Sequence, residues 1–197
     1  ERIGTGCGVI SRQSVAATDN SCIWMSKSGF WMFDGFVKPL PCDVGDYIFN
    51  NINYQQASKV YCVHNSAYGE VWWFYPSSAS IENDSYVSYN YRENHWAIGT
   101  FGRTCGTDSG VFGKPMMVSS DSYVYEHEIG FTYDSITPFA ESGPVELATG
   151  DRVMNITGLV PDENTLGDVK ARFSTKFYPN ATEYNFGPYT MNTPTSV

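Results

Sequence analysis

The run VWWFY, Val71 to Tyr75, constrains the fold more than any other stretch of the chain. Successive side chains of a strand point to opposite faces, so Trp72 and Phe74 face one way while Val71, Trp73 and Tyr75 face the other. Both faces are then apolar, and such a strand has to be covered on both sides. A β-propeller does this by sandwiching each blade between two neighbours.

The flanking sequence supplies partners for that strand. KVYCVHNSAYGEVWWFYP carries a turn at Asn65, Ser66 and Gly69, and DSYVSYNYRENHWAIG one at Arg92-Glu93-Asn94. Four sequential antiparallel strands follow, at about 59–63, 70–75, 85–91 and 95–98, which together form one meander of the blade type. The pattern of strand, polar turn and aromatic strand also occurs in IWMSKSGFWMF and in PMMVSSDSYVYEHE. The aromatic strands of the three units begin at Phe30, Tyr86 and Tyr123, close to the roughly 40-residue blade period once a helical insertion is set aside. In the first unit Phe30 and Met32 share one face of the strand, Trp31 and Phe33 the other.

The insertion is expected near residues 43–54, where Val44, Tyr47 and Ile48 fall at helical spacing and Asp43 can cap. Beyond Asp134 the texture changes. VELATGDRVMNITGL alternates around a Gly-Asp turn, and VKARFSTKFYP sets Val169, Ala171, Phe173 and Thr175 against Lys170, Arg172, Ser174 and Lys176. The sequence therefore reads as all-β: propeller blades over 1–134, then a β-sandwich-like module or further propeller strands over 135–197.

Composition limits what such a fold does. A net charge of -9, with no clustered Lys and Arg, excludes a surface built to grip phosphates. Five cysteines, Cys7, Cys22, Cys42, Cys62 and Cys105, form no C-x-x-C pair and read as buried reduced thiols of a reducing compartment. No apolar run reaches the roughly 18 residues of a membrane-spanning helix.

Chemistry-bearing groups are sparse. His64, His95 and His127 stand at no metal-ligand spacing, and His127, between Glu126 and Glu128, reads as a solvated strand edge. TGCG and GTFGRTCGTDSGVFGK lack P-loop spacing and read as turns between blades whose glycines supply positive φ. The acidic pairs Glu82/Asp84 and Asp162/Glu163 read as solvated loops, and no G-x-S-x-G elbow is present. Glycosylation triplets at Asn83, Asn155 and Asn180 are about as many as chance supplies. No cofactor, metal or catalytic residue is expected. Trp24, Trp31, Trp72, Trp73, Phe74, Tyr75, Tyr89 and Trp96 are the candidate structural and interface residues.

CIWMSKSGFWMFDGFVKPLPC, EVWWFYPS with the YNYRENHW hairpin, SGPVELATGDRVMNITGLVPD and KFYPNATEYNFGPYT resemble the tail nozzle proteins of short-tailed bacteriophages, those called packaged-DNA stabilisation proteins. The likeness runs from about Cys22 to Tyr189. It implies a propeller with appended β modules, and six copies in a ring below the portal and adaptor. Double-stranded DNA would pass through the channel without sequence-specific binding, and no enzyme activity would be present. It implies a place in the virion tail after assembly in the host cytoplasm, contact with distal tail proteins, no membrane anchor, and a longer parent chain. A glycan- or receptor-binding propeller is the alternative. It requires that some of Trp24, Trp31, Trp72, Trp73 and Trp96 be exposed for stacking on sugars. A propeller hydrolase would need convergent arginines, whereas the 12 basic residues are dispersed.

Overall fold

The computed structural model describes residues 3–130, 137–145, 153–159 and 169–191. The chain divides into two compact units, Glu1–Thr132 and Tyr133–Val197.

Three antiparallel sheets succeed one another along the first unit, so the all-β reading holds. Sheet one is β1 (Val15–Ala17), β2 (Cys22–Met25), β3 (Phe30–Phe33) and β4 (Val37–Leu40). Sheet two is β5 (Tyr61–Asn65), β6 (Glu70–Tyr75), β7 (Ser85–Asn90) and β8 (His95–Thr100). Sheet three is β9 (Cys105–Thr107), β10 (Met116–Val118) and β11 (Val124–Glu126). Every strand pairs with its neighbours in sequence, as a meander requires. Phe30 opens β3, Tyr86 lies in β7 and Tyr123 immediately precedes β11. The sequence repeat therefore marks the third strand of each sheet.

The sheets stack through their first strands, with β1 against β5 and β5 against β9. Just before β1, the Gln13 carbonyl accepts from the Cys62 amide at 2.7 Å. Ser11 reinforces the seam, its hydroxyl donating to the Val60 carbonyl.

Between sheets one and two the insertion forms two pieces, α1 (Gly45–Asn51) and a 3-10 turn, Tyr54–Lys59. The expected Asp43 cap is not made. Val44 occupies the N-cap position without a side-chain hydrogen bond, and the helix is held instead by Ile48, fully buried in the core. The 3-10 turn does have a polar cap, with Asn53 Oδ1 accepting from the Gln55 amide at 3.1 Å.

The glycine-rich stretch after Gly99 also departs from expectation, because part of it is strand β9. Gly106 there does not serve a left-handed turn. A Cβ at this position would lie 2.9 Å from Met117 Cγ and 3.0 Å from Val63 Cγ2. The missing side chain is what lets sheets two and three approach.

In the second unit β12 (Val169–Thr175) pairs antiparallel with β13 (Tyr184–Met191), and β12 has the expected alternation as far as Ser174, whereas Thr175, expected on the apolar face, is exposed. VELATGDRVMNITGL does not give the expected hairpin where it is described. Residues 153–159 form no strand, and Val153, Ile156 and Leu159 are exposed with no ladder partner among the described residues. Residues 146–152 of that stretch lie outside the described residues, as do Asp162 and Glu163.

The stack predicts unequal costs for its tryptophans. Trp73→Ala, at a fully buried site, is expected to cost about 4 kcal/mol, and Trp31→Ala, at a half-buried one, about 1–2 kcal/mol. Urea unfolding followed by far-ultraviolet circular dichroism measures the difference, and equal midpoints would contradict the stacked arrangement.

Candidate functional site

The aromatic candidates sort by strand parity into two junctions and one outer face. Val71, Trp73 and Tyr75 of β6, with Val87 and Tyr89 of β7, pack on Ile23, Met25 and Phe30 of sheet one. Phe74 of β6, with Tyr61 and Val63 of β5, packs on Met117 of sheet three, and Trp72 and Tyr86 border this second cluster. Sheet two is thus covered on both faces, as the pattern of VWWFY demands.

The first junction is a network of rings. Phe30 lies 5.0 Å from Trp73 and 4.6 Å from Trp96, and Trp96 lies 4.6 Å from Tyr89, all tilted pairs within the favourable range for aromatic contact. Its polar handles are satisfied internally. Trp73 Nε1 donates to the Ser14 carbonyl at 2.9 Å, Trp96 Nε1 to the Pro41 carbonyl at 2.8 Å, and Tyr89 Oη to Asn94 Oδ1 at 2.9 Å. Burial pushes the Tyr75 phenol up to about 12.

In the second junction Tyr61 stacks on Phe74 at 5.1 Å and 11°, and Trp72 on Tyr86 at 4.6 Å. Gly99 makes the latter possible, since a Cβ there would meet the Tyr86 ring at 2.6 Å. Trp72 Nε1 donates to Glu70 Oε2 at 2.8 Å. Trp24 and Trp31 belong to neither junction. They pair across β2 and β3 on the far face of sheet one, where Trp24 Nε1 donates to the Cys7 carbonyl at 2.7 Å. None of the five tryptophans is among the exposed large side chains.

One cluster had no sequence signal. Arg103, buried beside the second junction, is held between the rings of Phe101, 3.9 Å from its guanidinium carbon, and Tyr125, 4.4 Å away. Its Nε donates to His127 Nε2 at 3.1 Å, and its Nη1 to the Gly102 carbonyl at 2.8 Å. His127 is therefore not the solvated edge its strand position suggested. Its half-buried ring packs edge-on against Phe101, and desolvation together with the Arg103 charge pushes its pKa down to about 4. The local pattern E-H-E indicates two neighbouring carboxylates. The decisive partner is an arginine twenty-four residues earlier in the chain.

Other polar groups act as fasteners. His64 Nε2 meets Tyr91 Oη at 3.0 Å, and its Nδ1 lies 3.9 Å from Asp108. Asp108 accepts from the Ser66 and Ser109 amides, joining the β5–β6 turn to the segment after β9. The Asn83 amide donates to the carbonyls of Lys59 and Arg103, so this triplet is buried in the fold. The five thiols are free but not uniformly buried as expected, since Cys105 is exposed and the other four are partly buried; burial pushes those of Cys62 and Cys42 up to about 12 and about 11, which keeps both protonated near neutral pH. Among the described residues no group of three or more His, Cys, Asp and Glu side chains is placed to hold a metal ion. The arrangement is suited to holding sheets in register.

Protonation of His127 would remove the acceptor used by Arg103 and set two cations together. The unfolded ring takes its proton near 6.5 and the folded one near about 4, so between these values the unfolded chain binds more protons. Stability is then complete above about 6.5 and falls as the pH drops toward 4, by about 1–2 kcal/mol after allowance for solvent around a half-buried ring. Urea midpoints across this range test it, with His127→Gln, which retains an acceptor, expected to flatten that part of the slope.

Comparison with protein-family models and with curated proteins gives no match to this chain, so its functional reading rests on residues and geometry.

Proposed function

We propose that this chain is a structural part of a short-tailed phage tail, a ring-forming nozzle component that retains packaged DNA and conducts it during ejection. In this reading the three stacked sheets are consecutive blades of a β-propeller. The observation that carries it is the cover on both faces of sheet two, combined with first strands that adjoin while each meander runs outward from that seam. Propeller blades converge at their inner strands in this way.

The role follows from mechanics and charge. Junctions filled by interlocked rings resist shear, as a conduit under internal pressure requires. The net charge of -9 disfavours adhesion of a DNA duplex, so a passing strand would slide rather than stick. The proposal includes a six-fold ring of copies next to portal or adaptor and distal tail proteins, and assigns no catalytic step to the chain.

A glycan-binding role would depend chiefly on Trp31, which lines a cleft with Pro39, Leu40, Asp43 and Asp46. The indole N–H groups of Trp24, Trp72, Trp73 and Trp96 already donate to acceptors of this chain, and none of these rings is among its exposed large side chains, which favours packing over sugar stacking.

Electron microscopy of the phage particle that contains this sequence tests the proposal. The chain is expected in a ring coaxial with the tail, and density for it anywhere else would overturn the nozzle reading. Tryptophan fluorescence across a glycan panel is expected to stay unchanged, whereas a saturable change abolished by Trp31→Ala would favour the glycan reading.

A further inference from the structure

We propose that the cleft beside Trp31 is a receptor for an arginine side chain carried by a segment of a partner protein. The cleft lies between the β2–β3 turn and the segment that enters α1, within the first unit, and has a volume of about 340 Å³. That is the small end of the roughly 300–1,000 Å³ of ligand pockets, and it suits one long side chain with its flanking backbone. Burial within it is graded. Phe30, whose ring lies 5.6 Å from that of Phe49, is buried, Phe49, Leu40 and Trp31 are half-buried, and Asp43 and Asp46 are exposed. A side chain with an apolar stem and a charged tip fits this order, its methylenes against the rings and its cation at the rim.

The rim carries charge that the fold leaves uncompensated. Among the described residues neither Asp43 nor Asp46 has an ion-pair or hydrogen-bond partner, whereas Asp34 and Glu82 are paired with Lys38 and Lys59. The charge is felt inside the cleft. Burial raises the Cys42 thiol on its wall, and the Asp43 carboxylate pushes that thiol the same way. Trp31 is also the one tryptophan whose indole N–H donates to no acceptor among the described residues. A peptide carbonyl next to the incoming side chain would supply that acceptor.

Charge complementarity selects the occupant. A chain of net charge -9 attracts a basic segment, and two unpaired carboxylates at one cleft give that attraction a place to act. A neutral sugar would leave both carboxylates as they are. Guanidinium suits the cleft better than ammonium, because it is planar and weakly hydrated, stacks on an indole and presents a fork of donors to a carboxylate. The rim stays in contact with water, so the pairing is weak, with a dissociation constant on the order of 1 mM for one side chain. The inference does not rest on the nozzle reading, which is tested by the position of the chain in the particle and not by this cleft.

Isothermal titration calorimetry of the full chain tests it, with the end-blocked peptide Ala-Arg-Ala as probe and the same peptide carrying citrulline, a neutral isostere, for comparison. The arginine peptide is expected to bind saturably, and the citrulline peptide about tenfold more weakly. Asp43→Asn with Asp46→Asn is expected to weaken the arginine peptide by about the same factor. Asp19→Asn with Glu126→Gln removes two charges elsewhere and is expected to leave its affinity unchanged. All four carboxylates are on exposed residues, so these substitutions leave the fold intact. Added salt is expected to weaken the binding, because the pair is exposed. An arginine peptide that does not saturate overturns the proposal, and so does equal binding of the citrulline peptide or equal loss in the two double variants. A neutral oligosaccharide that binds the cleft where the peptide does not overturns it in favour of the glycan reading.

Discussion

The structure depends on one strand that cannot be left wet on either side. β6 is the second strand of sheet two, with ladder partners β5 and β7, so its backbone is satisfied on both edges and its side chains on both faces. Once Trp73 and Phe74 must both be fully buried, sheets one and three are obliged to lie against sheet two. Meanders of three or four such short strands bury little surface by themselves, and stacking them makes one continuous core.

The two junctions solve the same problem by different chemistry. The first is large and almost wholly apolar, with Ile48 and Ile52 of the helical insertion closing it. The second has only Tyr61, Val63, Phe74 and Met117 at its buried centre. It is supplemented by Arg103, a cation held by ring faces and by a neutral imidazole rather than by a carboxylate within ion-pair distance. Burial lowers the pKa of Arg103 as well as that of His127, the direction expected when desolvation acts on two bases. Tyr61 Oη and Asn83 Oδ1 are buried nearby with no hydrogen-bond partner among the described residues, at a cost of about 1–3 kcal/mol each.

That difference explains what the sequence made legible. Apolar alternation reveals large apolar interfaces, so β2, β3, β6, β7 and their turns could be read directly from CIWMSKSGFWMF and VWWFYPSSASIENDSYVSY. The short first strands β1 and β9 could not. Val15–Ala17 and Cys105–Thr107 are three residues each, with little side-chain pattern, and β9 contains a glycine whose purpose is to be absent at Cβ. The Arg103–His127 bond was equally hidden, since it links residues whose own neighbours suggest an unremarkable turn and a charged edge. Helix position was legible from spacing, whereas its cap was not, because tertiary burial of Ile48 replaced the local hydrogen bond that Asp43 could have made.

Unequal junctions also imply unequal opening. Local stability follows buried apolar contact, so sheets one and two form the more cooperative pair, and sheet three is the element joined by fewer apolar contacts and more polar ones. Its fasteners, Arg103 with His127 and Asp108 with the Ser66 amide, are directional and depend on charge, unlike the ring packing on the other side. A stack built this way holds its rigid centre at the first junction and concentrates its response to acid at the second. Within the first unit, opening under changing conditions should therefore begin with β10 and β11, leaving the packing of Trp73 on Phe30 in place.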